Sequence, residues 1–288
     1  NYDMLRASVT PLAIIKVDEN HSINMDDFLA AEEPLEIRLG YGSTQNRVQK
    51  SISVTMRTPG NDFELAVGFL FTEGIIENIG QVASIKHCNG LHENVVRVEL
   101  IDDLELDMSK LERNFYTTSS CGVCGKSSID AVKTVCRLPE TVSDDLRFSS
   151  EVIYKLPDLL RQKQNIFEHT GGLHGCALFD SAGKLLLARE DVGRHNALDK
   201  LIGATLQQGF FPLDQYLLLL SGRASFELIQ KAYMAGIKIV AAVGAPSSLA
   251  VQMATDAGIT LIGFLRGEKF NIYCGEQRVN IKSYELVV

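Results

Sequence analysis

From Lys184 onward the chain repeats one rhythm: a short apolar run, a turn of small or polar residues, then a helical stretch. No other feature restricts the fold as strongly, because parallel strands need a crossover of a dozen or more residues and a helix supplies it. Lys184–Ala188 leads through Glu190-Asp191-Val192-Gly193 into a helix with apolar Ala197, Leu198, Leu201 and Ile202. Tyr216–Leu220 gives way at Ser221-Gly222-Arg223 to a helix from Ser225 to Ala235, ended by Gly236. The near-continuous apolar run Ile237–Val243 suits a parallel strand buried on both faces. Gly244-Ala245-Pro246-Ser247-Ser248 then opens a helix that stops at Gly258, before Ile259–Phe264. Right-handed crossovers bring Ser221–Arg223, Gly244–Ser248 and Phe264–Lys269 to one edge of the sheet, where open α/β sheets hold ligands.

The first half follows a different pattern. Leu35–Tyr41 and Val48–Met56 are extended runs joined by Gly42-Ser43-Thr44-Gln45-Asn46, which predicts a hairpin. Asp62 is placed to cap a helix with Leu65, Ala66, Phe69 and Leu70 on one face, and Gly74 ends it. Strands near Val82–His87 and Val95–Leu100 follow, so this half is expected to be a smaller antiparallel sheet with one helix. Tyr116–Ser128 is rich in small and polar residues and reads as an exposed loop, while Glu140–Ser150 is the lobe boundary. Two lobes are expected: residues 1–145 as an α+β lobe carrying the loop 116–128, and 146–288 as an α/β domain.

Lys and Arg number 28 against 36 Asp and Glu, a net charge of −8 that disfavours nucleic acid and anionic membranes as partners. An anionic ligand must therefore be held by a local cationic site. Asn1–Thr10 lacks the apolar core of a signal peptide, and no apolar run reaches the roughly 18 residues of a membrane span. A cytoplasmic, reducing setting is expected, and six cysteines are too few for a disulfide scaffold.

Cys121-Gly122-Val123-Cys124-Gly125 brings two sulfurs together in a loop whose glycines let another reactant approach, and Lys126 favours the nucleophilic thiolate. The competing reading is half a zinc site, but its second ligand pair is missing, since only His87 with Cys88, or Cys136 alone, offers itself. Sulfur or redox chemistry is favoured, with no zinc expected. Cys88, Cys136, Cys176 and Cys274 read as small buried hydrophobes.

Glu190-Asp191-Val192-Gly193-Arg194-His195 with Asp199 and Lys200 admits two readings of equal weight. Asp191 caps the helix while His195 and Asp199 pair on an exposed face, or the helix start with Arg194 and His195 holds a phosphate or carboxylate. Ser221, Arg223, Ala245 and Ser247 repeat the arrangement of small residues, hydroxyls and helix start, and Arg266, Gly267 and Lys269 add donors beyond the last strand.

Taken in order, several strings resemble the FdhD/NarQ family of formate dehydrogenase accessory sulfurtransferases. They are Gly68-Phe69-Leu70 with Glu73-Gly74-Ile75-Ile76, Cys121–Gly125, Glu190–His195 with Leu198-Asp199-Lys200, Ser221–Glu227, and Ala245–Val251 followed by Gly263-Phe264. The resemblance implies a cytidine-deaminase-like three-layer α/β domain, a homodimer, and passage of sulfur from a cysteine desulfurase to the molybdenum bis-molybdopterin guanine dinucleotide of formate dehydrogenase. It further implies that Cys121 carries the persulfide with Cys124 assisting, and that Phe264, Leu265, Arg266, Gly267, Glu268 and Lys269 meet the guanine end of the cofactor. The deaminase zinc signature is absent: Ser120 precedes Cys121, and His174 is followed by Gly175-Cys176. A cofactor-binding chaperone without sulfur chemistry, its thiols structural or metal-binding, is the alternative.

Overall fold

The structure, a computed structural model, describes residues 8–88, 94–102, 104, 106 and 145–281. In chain order the first elements are β1 (Val9–Val17), β2 (Ser22–Ala30), β3 (Glu33–Tyr41), β4 (Val48–Arg57), α1 (Asp62–Thr72), β5 (Val82–His87) and β6 (Val95–Leu100). Next come β7 (Phe148–Ser149), α2 (Ser150–Arg161), α3 (Asn165–Thr170), β8 (His174–Phe179), β9 (Leu185–Asp191) and α4 (Arg194–Gln208). The chain continues with β10 (Leu217–Leu220), α5 (Phe226–Met234), β11 (Ile239–Ala242), α6 (Ser248–Asp256), β12 (Thr260–Arg266), β13 (Lys269–Cys274) and β14 (Val279–Asn280). Two compact units form, and they do not follow a single cut near residue 145. The first joins the described residues up to 106 with Gln164–His174 and Glu190–Gln207, and the second takes the rest.

The first unit is built on a sheet of order β4-β3-β6-β5. The expected hairpin of β3 and β4 is present, but β3 runs parallel to β6, with Ile37 opposite Val96 and Leu39 opposite Val98. The sheet is mixed because α1 intervenes between the hairpin and the later strands and returns the chain in the same direction. Its inner face buries Ile37, Leu39, Val96 and Val98 completely, as α1 buries Ala66, Val67 and Leu70. Asp62 does not cap α1. Asn61, in the left-handed region at φ 59°, occupies the cap position without a side-chain bond, and Asp62 accepts two hydrogen bonds of 3.0 Å from the buried Arg57 guanidinium.

Helices α1 and α4 meet backbone to backbone. A Cβ placed on Gly68 would lie 1.8 Å from the Asp199 carbonyl oxygen, and one on Gly203 would lie 1.9 Å from that of Glu64. Only hydrogen fits at either position, so each helix contributes a glycine to the crossing.

The second unit holds a six-stranded sheet of order β13-β12-β11-β10-β8-β9. Strands β10, β11 and β12 are parallel, as the rhythm of the sequence requires, while β8 and β13 run antiparallel to their neighbours. Phe179, Leu217, Leu219, Ile239 and Ile262 pack with Ile153, Leu156 and Leu160 of α2. The alternate residues Leu178, Leu218, Val240 and Leu261 are equally buried, so the other face is covered too. The crossover helices α5 and α6 pack on one another, and α6 also packs on β12 and β13. This is the three-layer α/β arrangement expected.

Replacing Gly68 by alanine forces a methyl group against a carbonyl oxygen that belongs to a helix backbone. Gly68→Ala is expected to destabilise the protein by about 1–3 kcal/mol. Urea unfolding reads this directly, and an unchanged midpoint would mean that the helices separate without cost.

Candidate functional site

Cys121 and Cys124, with the rest of the expected loop 116–128, lie outside the described residues, as does Cys136. Among the described cysteines Cys176 is buried, whereas Cys88 and Cys274 are half-buried. The other predicted groups fall in two places, one in each unit.

In the second unit the turns after β10, β11 and β12 are tied to each other. Gly244 N–H donates to Gly222 O at 2.9 Å, Ala224 N–H to Ala245 O at 3.2 Å, Ser247 N–H to Ala224 O at 3.0 Å and Phe264 N–H to Gly244 O at 3.1 Å. Glycine makes this approach feasible, since a Cβ on Gly244 would sit 3.0 Å from Arg223 N and one on Gly263 only 2.8 Å from Pro246 Cδ. Parallel strands carry the three turns to a common edge, as expected. These N–H groups are spent on neighbouring carbonyls rather than offered to a ligand.

What the edge presents is side chains. Arg223 is exposed, and no hydrogen bond or ion pair engages its guanidinium among the described residues. Phe264 is 43% exposed and held at φ 54°, a conformation rare for a bulky residue, within the irregular register between Gly263 and Arg266. Arg266 and Lys269 are opposite each other across the turn Gly267-Glu268, so Phe264–Lys269 is a strand end and hairpin leading into β13. Arg266 Nε donates a long bond of 3.4 Å to Val243 O. Leu265 is fully buried in the core, which leaves only its backbone for a ligand. Ser221 Oγ accepts from Gly175 N–H at 2.8 Å, and Ser247 Oγ caps α6 by accepting from Ala250 N–H at 3.2 Å. Tyr273, unnoticed in the sequence, reaches this edge from β13, with its ring 3.0 Å from a Cβ placed on Gly263.

Arg194 and His195 belong to the first unit and sit in the chain between Asp191 and Lys200, which form a buried network. Lys200 Nζ lies 2.7 Å from Asp191 Oδ2, with Lys200 1% exposed and Asp191 not at all. The carboxylate also accepts from Thr58 N–H at 3.2 Å, Gly193 N–H at 2.8 Å and the Asn196 amide at 3.2 Å. Lys200 further donates to Thr58 O at 2.8 Å. Asp191 thus ties down the start of α4, but Asp199 does not lie on an exposed face. Asp199 is buried and accepts from the Thr72 hydroxyl at 2.8 Å. Glu190 Oε2 accepts from the N–H groups of Ile166 and Phe167, both at 3.2 Å. These acceptor roles serve the fold, and only Arg194 and His195 of this string stay as candidates for a ligand.

The sheet order, the glycine crossing and the laced edge together describe a chain of mixed α/β architecture with one candidate ligand edge. The sequence profile of the FdhD/NarQ family matches residues 30–280, and the chain belongs to that family. It is 49% identical over 276 residues to the sulfur carrier protein FdhD of Streptomyces avermitilis, covering 94% of this chain and 95% of that one. Its likeness to the protein of the same description from Sulfurisphaera tokodaii is 42% over 271 residues, covering 94% and 99%. A crystal structure assigned as a formate dehydrogenase accessory protein from Desulfotalea psychrophila superimposes with a TM-score of 0.69 over 94% of this chain and 99% of that one, at 22% identity, and shares the fold.

Glu190 gives the first unit a pH dependence of definite sign. Burial raises its carboxyl from the ordinary 4.5 to about 7, against the opposing pull of the Phe167 and Ile166 N–H groups and of Lys200. The native state holds this proton to higher pH than the unfolded chain does, so stability is greatest below about 4.5 and declines as pH rises through about 7. Glu190→Gln keeps an acceptor for both N–H groups and removes the titration. Thermal unfolding followed from pH 5 to pH 8 should show the variant gaining on the native chain as pH rises; parallel curves would refute the assignment.

Proposed function

We propose that this chain is a sulfur carrier that takes a persulfide sulfur on Cys121 and delivers it to a molybdenum bis-molybdopterin guanine dinucleotide held as substrate at the β10–β12 edge. Membership of a family whose relatives carry the description sulfur carrier protein supports the first half of this reading. One observation carries the second half: an exposed aromatic ring at Phe264 stands on the same laced edge as Arg223, Arg266 and Lys269. A planar base stacks on an aromatic face while guanidinium and ammonium groups bind pyrophosphate oxygens. The preference for guanine comes from the family, since nothing in the edge alone selects a base.

In the loading step the Cys121 thiolate attacks the terminal sulfur of a donor's persulfide, as a cysteine desulfurase would present it. The donor S–S bond breaks, the donor leaves as a thiolate, and Cys121 becomes a persulfide without any external oxidant. Cys124 assists release. If it attacks the inner sulfur, hydrosulfide departs toward the substrate and a Cys121–Cys124 disulfide remains, which a cellular thiol then reduces. The client is a formate dehydrogenase, and the setting is the cytoplasm, where thiols stay reduced.

Incubation with a cysteine desulfurase and cysteine should add roughly 32 Da, one sulfur atom, to the native chain and nothing to Cys121→Ala. An equal adduct on both would move the carrier role to another thiol, and stoichiometric zinc lost from the variant would make the pair structural. For the edge, GDP should bind more tightly than ADP, and Arg223→Ala should weaken GDP about tenfold or more by removing a charge-assisted contact. Equal calorimetric affinities for GDP and ADP would remove the guanine claim, and unchanged binding by the variant would move the nucleotide elsewhere.

A further inference from the structure

The last two strands of the six-stranded sheet pair irregularly in two places. On β12 the register shifts between Gly263 and Arg266, and Phe264 lies inside the shift at φ 54°. On β13 the partners step from Ile262 opposite Ile272 to Leu261 opposite Cys274, so Tyr273 is the extra residue of a bulge. A bulge gives up ladder pairing and re-aims a side chain. Each irregularity here carries an aromatic residue, and both are left open to water, Phe264 at 43% and Tyr273 at 37%.

Gly263 adjoins both. Phe264 follows it in the chain, and the Tyr273 ring takes the space a side chain would occupy there, with Cε2 3.0 Å from a Cβ built on Gly263. Pro246 Cδ, 2.8 Å from the same point, closes the other side. Core packing does not account for the tyrosine: its neighbours Phe270 and Ile272 pack against the cluster under α2, and Tyr273 does not join them. Among the described residues no hydrogen bond engages its hydroxyl, and neither Phe264 nor Tyr273 stacks on another ring. Two exposed, unstacked aromatic side chains therefore flank a residue that has no side chain of its own.

We infer that Tyr273 is a second base-contacting residue of the edge, its ring and that of Phe264 flanking the heterocycle of a bound nucleotide over Gly263. The inference rests on the reading of this edge as a nucleotide site and adds to it the residue that completes the grip on the base. A base stacked on Phe264 alone keeps its other face in water, whereas a second ring covers that face and removes more apolar surface from solvent. Every base has a π face, so Tyr273 supplies affinity for the heterocycle and no choice between guanine and adenine. Its contribution is separable from that of Arg223, Arg266 and Lys269, whose charges act on the phosphates.

Calorimetry on the full-length chain with GDP, ADP and inorganic pyrophosphate separates these parts. Tyr273→Ala should weaken GDP and ADP by the same factor, about tenfold as for one lost base stack, and leave pyrophosphate unchanged. Tyr273→Phe keeps the ring and should bind all three as the native chain does, while Tyr273→Leu, with apolar bulk but no π face, should behave like Tyr273→Ala. Unaltered thermal unfolding of the three variants shows that the fold is intact. If Tyr273→Ala binds GDP normally while Arg223→Ala does not, this inference fails and the edge remains the nucleotide site. A loss in Tyr273→Phe equal to that in Tyr273→Ala would make the hydroxyl the contact and overturn the stacking. A parallel loss of pyrophosphate would mark a disturbed rim and overturn it too, and a native chain that binds no nucleotide would remove the edge reading together with the role of Tyr273.

Discussion

The first unit depends on one buried ion pair. Lys200 and Asp191 are removed from water together, and the cost of desolvating both is offset by the hydrogen bonds gathered around them. Asp191 gathers donors from the end of β4, at Thr58, and from the start of α4, at Gly193 and Asn196, while Lys200 closes the ring on Thr58 O. Leaving either charge alone in this interior costs about 3–5 kcal/mol, so the two segments have one acceptable register. The glycine crossing of α1 and α4 follows from that register, since α4 fixed by its first turns can approach α1 only where Gly68 and Gly203 face it.

Much of the second unit was legible because its signal is periodic. Buried parallel strands announce themselves as unbroken apolar runs, and glycine marks where each crossover helix ends. β13 was equally open to reading, with Phe270, Ile272 and Cys274 turned partly inward and Lys269, Asn271 and Tyr273 outward, yet its short alternation follows directly on a cationic turn that was read only for its donors. The hairpin β1–β2 went unseen for the opposite reason. Alternation reveals a strand when one face is wet, and this ribbon is apolar on both.

α4 belongs with the first unit, and its approach to α1 through Gly68 and Gly203 leaves little trace in the sequence. A helix that packs through glycine hydrogens and carbonyl oxygens looks, in sequence, like any helix with two small residues. Likewise topology placed the edge loops together, but the lacing of their N–H groups is a tertiary feature. Chain order cannot show that Gly222 and Gly244 carbonyls face the neighbouring turns and accept those hydrogens. Glu190 was grouped with the helix start by position, whereas its partners, Ile166 and Phe167, come from a distant stretch of chain.

That lacing has a consequence for the timing of any exchange at the edge. Three turns bonded to one another move as a single rigid rim, so a ligand arriving there waits for no loop to order and leaves without one having to melt. The entropy lost on arrival is confined to a few long side chains, Arg223, Arg266 and Lys269 among them, at about 0.5–1.5 kcal/mol for each one immobilised. For the cargo proposed above, such a rim would act as a quay rather than a lid: residence would be governed by contacts made and broken, not by a conformational clock, and the cargo would be handed on as soon as a better set of contacts is offered beside it.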